Sequence, residues 1–383
     1  MNWKFKYYDV MSGMDWDGIE KAYDWFRDMK DVPQDAIWHS EGDVQIHTKA
    51  VVEAMIGLNE FQTLYDQDKH IMVVSALMHD IEKRSTTTTD FRYGRECIVA
   101  PRHAQRGEFT ARNILYKELD TPYDVRERIC KLIRFHGIPL WRDEETLGKV
   151  VIETSLYVNN GHLAMLAKAD VLGRECVDKE ELLEKVGYYK LMAFELGVHG
   201  MPYQFENNLH RFNFIGKNKP LEYLPFDEDK FTVYLMCGVA GSGKDTYISK
   251  HLESLPMVSL DAIRTEFKVK PTDKKGNGRV YQEAKERCKV LMRTHSDFVF
   301  NATNIVTDTR AKWTRLVEEY GGKVIIVYIE TPYKTLLSQN ENRKDAVPVK
   351  IVEKMIKSLE MPTYDEAFDI KVVTNNKKNY ICT

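Results

Sequence analysis

A glycine-rich segment in the second half of the chain limits its fold more than any other feature. The apolar run Phe231–Cys237 leads into Gly238–Thr246, which reads Gly-Val-Ala-Gly-Ser-Gly-Lys-Asp-Thr. Backbone N–H groups surround a phosphate only where side chains leave room, and a following helix presents its positive end to the anion. The segment predicts a strand, a phosphate-binding loop and a helix. The residues expected to contact the phosphates are Gly238, Gly241, Ser242, Gly243, Lys244, Asp245 and Thr246.

The residue after Lys244 departs from the usual form of such loops. Ser or Thr commonly follows the lysine and holds Mg²⁺, whereas here Asp245 follows and Thr246 comes next. A carboxylate is a good ligand for Mg²⁺, but it adds negative charge beside the phosphates. Either Asp245 or Thr246 holds the magnesium ion of a bound nucleotide, and the sequence leaves that choice open.

The spacing of apolar residues changes along the 383 residues, a length expected of two domains. Three- and four-residue spacing predicts helices in the first half, including Val44–Leu58, Ile71–Met78 and Val125–Phe135. Beyond a Gly- and Pro-containing stretch, short apolar runs alternate with helical ones, which predicts a parallel sheet. The predicted strands are Phe231–Cys237, Met257–Ser259, Asp297–Asn301, Lys323–Ile329 and Phe368–Val373.

We therefore expect two domains, an all-α domain followed by an α/β domain with a parallel sheet. The helical domain is expected at residues 1–215, a linker at 216–230 and the α/β domain at 231–383. The threonine run Thr86–Thr89 is expected to be a loop.

Composition limits the environment and the partners. No apolar stretch reaches the length of a membrane helix, and the N-terminus lacks the apolar block of a signal peptide. The six cysteines are scattered and contain no Cys-x-x-Cys pair, which argues against a cysteine metal site. We expect a cytoplasmic protein without membrane contact. The net charge of -3 provides no overall positive field, so any nucleic-acid contact must come from local basic residues.

Six histidine and aspartate residues in the helical half are candidate metal ligands: His47, His79, Asp80, His103, His136 and Asp170. No two of these histidines have the i, i+4 spacing of a zinc protease, so a site would be assembled between helices. Such a nitrogen-rich set favours Mn, Fe, Co, Ni or Zn over Mg²⁺.

This order resembles the HD-domain metallophosphohydrolases over roughly residues 44–173. The resemblance implies two divalent metals bridged by Asp80, the central catalytic residue of this half. One metal would be held by His47, His79, Asp80 and Asp170, and the other by His103, His136 and Asp80.

The resemblance also places basic residues near the substrate of the helical half. Lys83 stands where the family often has a lysine near the phosphate, and Arg102 and Arg106 flank His103. These arginines are candidates for holding the scissile phosphate. Asp43 and His39 lie one and two helical turns before His47, where they either support that ligand or have no role.

In the second half, Asp261 and Arg264 lie after a predicted strand, where ligands bind in α/β sheets. Spacing alone fits equally well a helix cap with a surface arginine. Four stretches, however, resemble the polynucleotide 5′-kinase family: Gly238–Thr246, Ser259–Arg264, Phe300–Asn304 and Gln339–Arg343 with Val347-Pro348.

The kinase resemblance implies roles for single residues. Asp261 would be the general base, Arg264 would contact the acceptor's phosphate, and Arg343 would be a lid arginine on the ATP phosphates, beside Lys244. Asn301 stands where relatives often carry Asp. Arg310 and Arg315 are further candidates for contact with the acceptor, and Lys344 directly follows the lid arginine.

The two halves together resemble bacterial and phage enzymes that heal nucleic-acid ends. That implies transfer of the ATP γ-phosphate to a 5′-hydroxyl and removal of 2′,3′-cyclic, 2′- or 3′-phosphates. The partners would be RNA or DNA strand ends and a separate ligase.

Two alternatives remain. The first is a nucleoside or nucleotide kinase fused to a nucleotide phosphohydrolase, and the second is a nucleotide-gated regulator. The Asp261–Arg264 pair favours an acceptor that already carries a phosphate, and a complete metal-ligand set argues against a pure switch.

Overall fold

The computed structural model describes residues 3–343 and 346–374 and divides the chain into two compact units, Met1–Tyr203 and Gln204–Thr383. Residues 216–230 contain no helix or strand. The domain limits 1–215, 216–230 and 231–383 remain a prediction.

The first unit is largely helical. Its helices are α1 (Trp16–Ala22), α2 (Asp24–Arg27), α3 (Val44–Gly57), α4 (Asn59–Gln62), α5 (Asp66–Met78), α6 (Lys83–Thr86), α7 (His103–Lys117), α8 (Tyr123–Phe135), α9 (Ile138–Trp141), α10 (Glu144–Ser155), α11 (Asn160–Leu172) and α12 (Lys179–Glu195). Two antiparallel hairpins accompany them, β1 (Tyr8–Asp9) with β2 (Gly13–Met14) and β3 (Thr88–Arg92) with β4 (Arg95–Val99).

Helix α5 forms the centre of the helical unit. Every residue from Lys69 to Met78 is buried, and a helix that is apolar on all sides belongs inside a core. It packs against α3, α8 and α11. Because α5 ends at Met78, the chain leaves it with His79 and Asp80 still inside the unit.

The β3–β4 hairpin shows that the loop prediction for Thr86–Thr89 was wrong. Thr86 ends α6, and Thr88 and Thr89 begin β3 opposite Val99 and Ile98. Threonine is β-branched and favours strands. Every residue of β3 is exposed, so the strand shows no alternation of apolar and polar residues.

The second unit is an α/β domain, so the predicted fold class is confirmed. Its strands β5 (Thr232–Cys237), β6 (Met257–Ser259), β7 (Phe298–Asn301), β8 (Lys323–Glu330) and β9 (Asp369–Thr374) form one parallel sheet in the order β6-β7-β5-β8-β9. The helices are α13 (Asn208–Ile215), α14 (Lys244–His251), α15 (Leu260–Glu266), α16 (Lys274–Arg293), α17 (Thr307–Glu319), α18 (Tyr333–Glu341) and α19 (Val349–Lys357).

The sheet order brings three strand ends to one edge. β5 ends at Cys237, and in the neighbouring strands Ser259 of β6 is in register with Asn301 of β7. Ligands of open parallel sheets bind at this carboxyl edge. Within the described ranges, no helix combines the length and apolar character needed to cross a bilayer.

Candidate metal centre and phosphate-binding site

The six predicted metal ligands lie on five segments of the helical unit. They are His47 in α3, His79 and Asp80 directly after α5, His103 at the start of α7, His136 directly after α8, and Asp170 in α11. Helices α3, α5, α8 and α11 pack against one another. The structure therefore brings all six side chains together.

Asp80 lies between two pairs of histidines. Its Oδ2 is 3.1 Å from His79 Nε2 and 3.6 Å from His47 Nε2. Its Oδ1 is 3.2 Å from His103 Nε2 and 3.9 Å from His136 Nε2. Each carboxylate oxygen thus faces a different pair, which is the arrangement that a carboxylate bridging two cations requires.

Asp170 completes the first of the two groups. Its Oδ1 is 3.2 Å from His47 Nε2 and 3.9 Å from His79 Nε2. The ligand atoms of His47, His79 and Asp170 lie within 4.8 Å of one another, as do those of Asp80, His103 and His136. This division agrees with the one that the family resemblance implies.

Backbone hydrogen bonds orient three of the four imidazoles. The Nδ1 atoms of His79, His103 and His136 lie 2.8, 2.7 and 2.8 Å from the carbonyl oxygens of Ala76, Ala100 and Ile133. A carbonyl only accepts, so each Nδ1 carries a proton and the lone pair of the neutral ring is on Nε2. These Nε2 atoms are the ones that face Asp80, as expected of metal-binding histidines.

The ligand atoms are buried and incompletely paired. Among the described residues, none hydrogen-bonds to His47 Nε2, His79 Nε2 or Asp80 Oδ1. A buried polar atom without a partner costs about 1–3 kcal/mol. Divalent cations would satisfy all three atoms at once, so the residues present fit a pair of such ions.

Both carboxylates are held in their charged form. Burial alone would raise the pKa of Asp80, but the charges of His79 and Lys83 lower it well below its usual range. Burial opposes ionisation of Asp170 too, and Arg174 is the main cause of its lowered pKa. Charged carboxylates are the form that binds metal.

The histidines differ in their affinity for protons. Burial lowers the pKa of His136 to about 3, and it also lowers the pKa of His103. For His79 the effect of burial is outweighed by Asp80, which raises the pKa above its usual value.

Two residues that support the ligands, Glu41 and Arg174, were not predicted from the sequence. Glu41 Oε1 lies 2.8 Å from both His39 Nδ1 and His47 Nδ1, so it orients a ligand from behind. Arg174 grips Asp170 through Nε, at 3.0 Å, and Nη2. The i, i+4 spacing of Asp170 in α11 and Arg174, two residues beyond its end, would have indicated this pair.

The other candidates around the centre have distinct positions. Lys83 Nζ lies 2.7 Å from Asp80 Oδ2 and donates to Gln34 Oε1 at 2.8 Å. Arg102 and Arg106 are exposed on either side of His103. Asp43 caps α3 by accepting from the backbone N–H of Ile46, which is a structural role.

The phosphate loop of the second unit has the backbone that its glycines allow. Gly238, Gly241 and Gly243 have φ values of 146°, 83° and 97°, which disfavour any residue with a Cβ. A Cβ at Gly238 would also lie 2.8 Å from Ser242 Oγ and 3.0 Å from Ile329 O. The loop ends at α14, whose first residue is Lys244.

Lys244 is held against the loop. Its Nζ donates to the carbonyl oxygens of Gly238 and Val239, both at 2.9 Å. Burial lowers its pKa to about 8, opposed by the nearby charges of Asp245 and Asp261 and assisted by Arg343. These charges therefore act at Lys244, although they come from three different segments.

Asp245 and Thr246 lie in the exposed first turn of α14. Asp245 Oδ1 accepts a hydrogen bond of 2.7 Å from Nδ2 of Asn301, which ends β7. The buried amide thus fixes one carboxylate oxygen and leaves the other available.

Asp261 lies in the first turn of α15, directly beyond β6, with an exposed side chain. It pairs with Arg264, whose Nε donates to Asn277 Oδ1 at 2.8 Å. The amide oxygen of Asn277 therefore orients the guanidinium.

Arg343 is exposed and follows α18. The side chain of Asn340, near the end of α18, bonds both backbone groups of Val347, at 2.7 and 3.1 Å. A Cβ at Gly241 would lie 3.2 Å from Asn340 Cβ, so the end of α18 adjoins the phosphate loop. Lys344 lies outside the described residues.

Arg310 does not approach an acceptor, so that expectation was wrong. It is fully buried and forms a two-bond pair with Glu366 at 2.7 and 2.8 Å. It also donates to the carbonyl oxygens of Asn304 and Glu360. A buried guanidinium with all these partners supports the fold, whereas Arg315 is exposed on α17.

Comparison with known proteins identifies part of the second unit. Residues 233–362 match a family described as an AAA domain, so this unit contains a P-loop domain that binds a nucleoside triphosphate. No curated protein matches the chain. The matched stretch includes the phosphate loop, Asp261, Arg264 and Arg343.

Two solved structures are similar to part of the chain. A sugar kinase from Janibacter sp. HTCC2649 is 17% identical, with 39% of this chain and 88% of that chain covered and a TM-score of 0.31. A protein described as a putative kinase from Chloroflexus aurantiacus J-10-fl is 12% identical, with coverages of 39% and 90% and a TM-score of 0.32.

Proposed function

We propose that this chain heals broken nucleic-acid ends with two separate sites. The helical unit would remove 2′,3′-cyclic, 2′- or 3′-phosphates, and the P-loop unit would transfer the γ-phosphate of ATP to a 5′-hydroxyl. The observation that carries the proposal is Asp80, whose two oxygens face two histidine pairs in a chain that also has a phosphate loop.

In the helical unit, six side chains would hold two divalent ions, which supply an activated water and stabilise the leaving oxygen. His47, His79 and Asp170 would hold one ion, and His103 and His136 the other, with Asp80 shared. The nitrogen-rich set favours Mn, Fe, Co, Ni or Zn.

Basic side chains of the helical unit would bind the phosphate that leaves the strand. Lys83 Nζ is 2.7 Å from Asp80, so its ammonium lies where the phosphate oxygens would approach. Unlike the buried Lys83, Arg102 and Arg106 are exposed, and they lie on either side of His103 in the chain. Their charges would bind the phosphate that links the last nucleotides.

In the P-loop unit, the loop N–H groups and Lys244 would hold the ATP phosphates. Asp261 would accept the proton of the attacking 5′-hydroxyl as that oxygen bonds to the γ-phosphorus, and ADP would leave. Arg264 would bind the acceptor's phosphate, and Arg343 the charge that develops on the transferred group.

We assign the Mg²⁺ of ATP to Asp245 rather than to Thr246. In many P-loop enzymes a Ser or Thr hydroxyl and an Asp at the end of a neighbouring strand hold this ion. Here the carboxylate stands on the loop helix and the neutral partner, Asn301, on the strand. The hydrogen bond from Asn301 leaves one oxygen of Asp245 for the metal.

The test uses one short RNA with a 5′-hydroxyl and a 2′,3′-cyclic phosphate. It is incubated with the protein, ATP, Mg²⁺ and Mn²⁺, and both ends are read by mass. A new 5′-phosphate together with an opened or removed cyclic phosphate supports the proposal. An unchanged strand, with ATP consumed only when adenosine or AMP is added, would favour a metabolic kinase joined to a nucleotide phosphohydrolase.

A further inference from the structure

We infer that the β3–β4 hairpin and the turn before α7 bind the single strand whose 3′ end enters the metal centre. The surface, called the strand platform below, consists of Phe91, Tyr93, Arg102 and Arg106. This inference rests on the proposed function of the helical unit and adds how that unit recognises a strand.

The hairpin is tied to the helical unit along β4, including at Arg95 directly beside its turn. The buried carboxylate of Asp35 accepts from both terminal nitrogens of Arg95, at 2.9 and 2.7 Å, and from the backbone N–H of Ile98 at 3.1 Å. The hydrogen bonds of Arg95 outweigh burial and lower the pKa of Asp35 to about 2. The side chain of Cys97 is buried as well. The hairpin is therefore a fixed arm rather than a loose loop.

Two aromatic rings lie in solvent at the tip of this arm. Phe91 is 71% exposed and Tyr93 is 84% exposed, so neither ring stabilises the core. Tyr93 and Gly94 form the two-residue turn between the strands, and their φ values of 54° and 75° are those that such a hairpin turn requires. Asn and Gly usually occupy these positions, so an exposed tyrosine ring here is not explained by the turn itself.

The arm begins and ends at the metal centre. β3 begins at Thr88, shortly after Lys83, and β4 ends at Val99, shortly before His103. Five residues of strand extend roughly 16 Å. A strand end bound at Asp80 would therefore have its preceding nucleotides within reach of the tip.

Two arginines that follow the arm in the chain suit a phosphate backbone. Arg102 and Arg106 are exposed, and among the described residues no side chain forms an ion pair with either. Arg102 has a φ of 59° and directly precedes the ligand His103. Bases stacking on aromatic rings, with arginines on the phosphates, are the usual chemistry of single-strand binding. A protein partner would need a wider apolar area than two rings separated by Arg92.

Binding of a ten-nucleotide RNA with a 5′-fluorescein and a 3′-hydroxyl tests the platform, because neither unit can change this strand. Phe91→Ala with Tyr93→Ala should weaken binding about a hundredfold, at about tenfold per ring. Arg102→Gln with Arg106→Gln should reduce the dependence of the Kd on salt. Tyr65→Ala and Phe226→Ala, which remove rings that are 85% and 89% exposed elsewhere, are the matched controls.

Tyr93→Gly separates binding from folding. Glycine accepts the left-handed conformation, so this variant should keep or raise the Tm while it loses the affinity of one ring. A second measurement compares KM for a cyclic-phosphate strand with KM for a cyclic mononucleotide. The wild type should prefer the strand, and the double aromatic variant should lose most of that preference.

The outcomes separate the two proposals. Strand affinity unchanged by all platform substitutions would overturn the platform and leave the rings to a protein partner. If the cyclic mononucleotide is still hydrolysed in that case, the proposed function stands with another binding surface. If neither substrate is hydrolysed with any metal, the function of the helical unit is wrong, while the binding data still decide the platform.

Discussion

The metal centre and the phosphate loop are built in opposite ways. The centre consists of side chains from five segments, nearly all of them buried, and backbone carbonyl groups orient three of its four imidazoles. The phosphate site consists of one continuous backbone loop with exposed side chains around it, such as Asp245 and Asp261. A substitution in the centre therefore disturbs the core, whereas one around the loop mainly affects chemistry.

The largest effect is expected at the centre. Asp80→Asn removes the one charge that both histidine pairs share, so removal of the end phosphate should fall about a thousandfold or more. Bound metal, counted by elemental analysis, should fall too. The surface variant Glu145→Gln on α10 is the control. Normal metal content and activity in Asp80→Asn would contradict the bridging role.

A large but purely chemical effect is expected at the phosphate site. Asp261→Ala removes the proposed base and should lower phosphoryl transfer by about 10²–10⁴. ATP affinity should change little, because the Asp261 side chain is 85% exposed and lies outside the loop. Asp308→Ala, in the exposed first turn of α17, is the matched control. A comparable loss of rate in that control would show that losing an acidic residue from the first turn of a helix, and not losing a base, lowers the rate.

An intermediate effect is expected behind the metal ligands. Glu41→Gln weakens the orientation of His47 and should reduce metal affinity about 10–100-fold. The affinity is measured by competition with a chelator of known strength, while phosphoryl transfer provides the internal control. Unchanged affinity would mean that the packing of α3 alone positions His47.

A smaller effect should show how the phosphate site holds Mg²⁺. Mg²⁺ should increase the affinity of the protein for ATP, and Asp245→Ser should reduce that increase about tenfold. Adding Asn301→Asp to the Asp245→Ser variant should restore most of the increase. Calorimetry with ATP in the presence and absence of Mg²⁺ measures this gain. If Thr246→Val abolishes the gain and Asp245→Ser does not, Thr246 is the ligand.

The two regions also differ in how much of their structure could be predicted from the sequence. The parallel strands were predicted to within about one residue at each end because each contains a short run of apolar residues; β6 was predicted at Met257–Ser259, as observed. The β3 strand was missed because its exposed residues carry no such pattern.

The sites follow the same rule. The phosphate loop is one contiguous motif, so its residues could be named together, while the metal ligands were indicated only by their order in the chain. Glu41 was missed because its contact with His47 depends on how the segment before α3 packs, whereas Arg174 could have been found from its i, i+4 spacing to Asp170. Arg310 was expected near the acceptor, and only its pairing with Glu366 shows that it belongs to the core.

One measurement tests the central account directly, the two ends of the same RNA after treatment with two variants. Asp80→Asn should phosphorylate the 5′ end and leave the cyclic phosphate intact, and Lys244→Ala should do the reverse. Both strands are weighed by mass spectrometry beside the wild-type product, which should have both ends changed. Loss of both reactions in either variant, with unchanged folding, would contradict two independent sites.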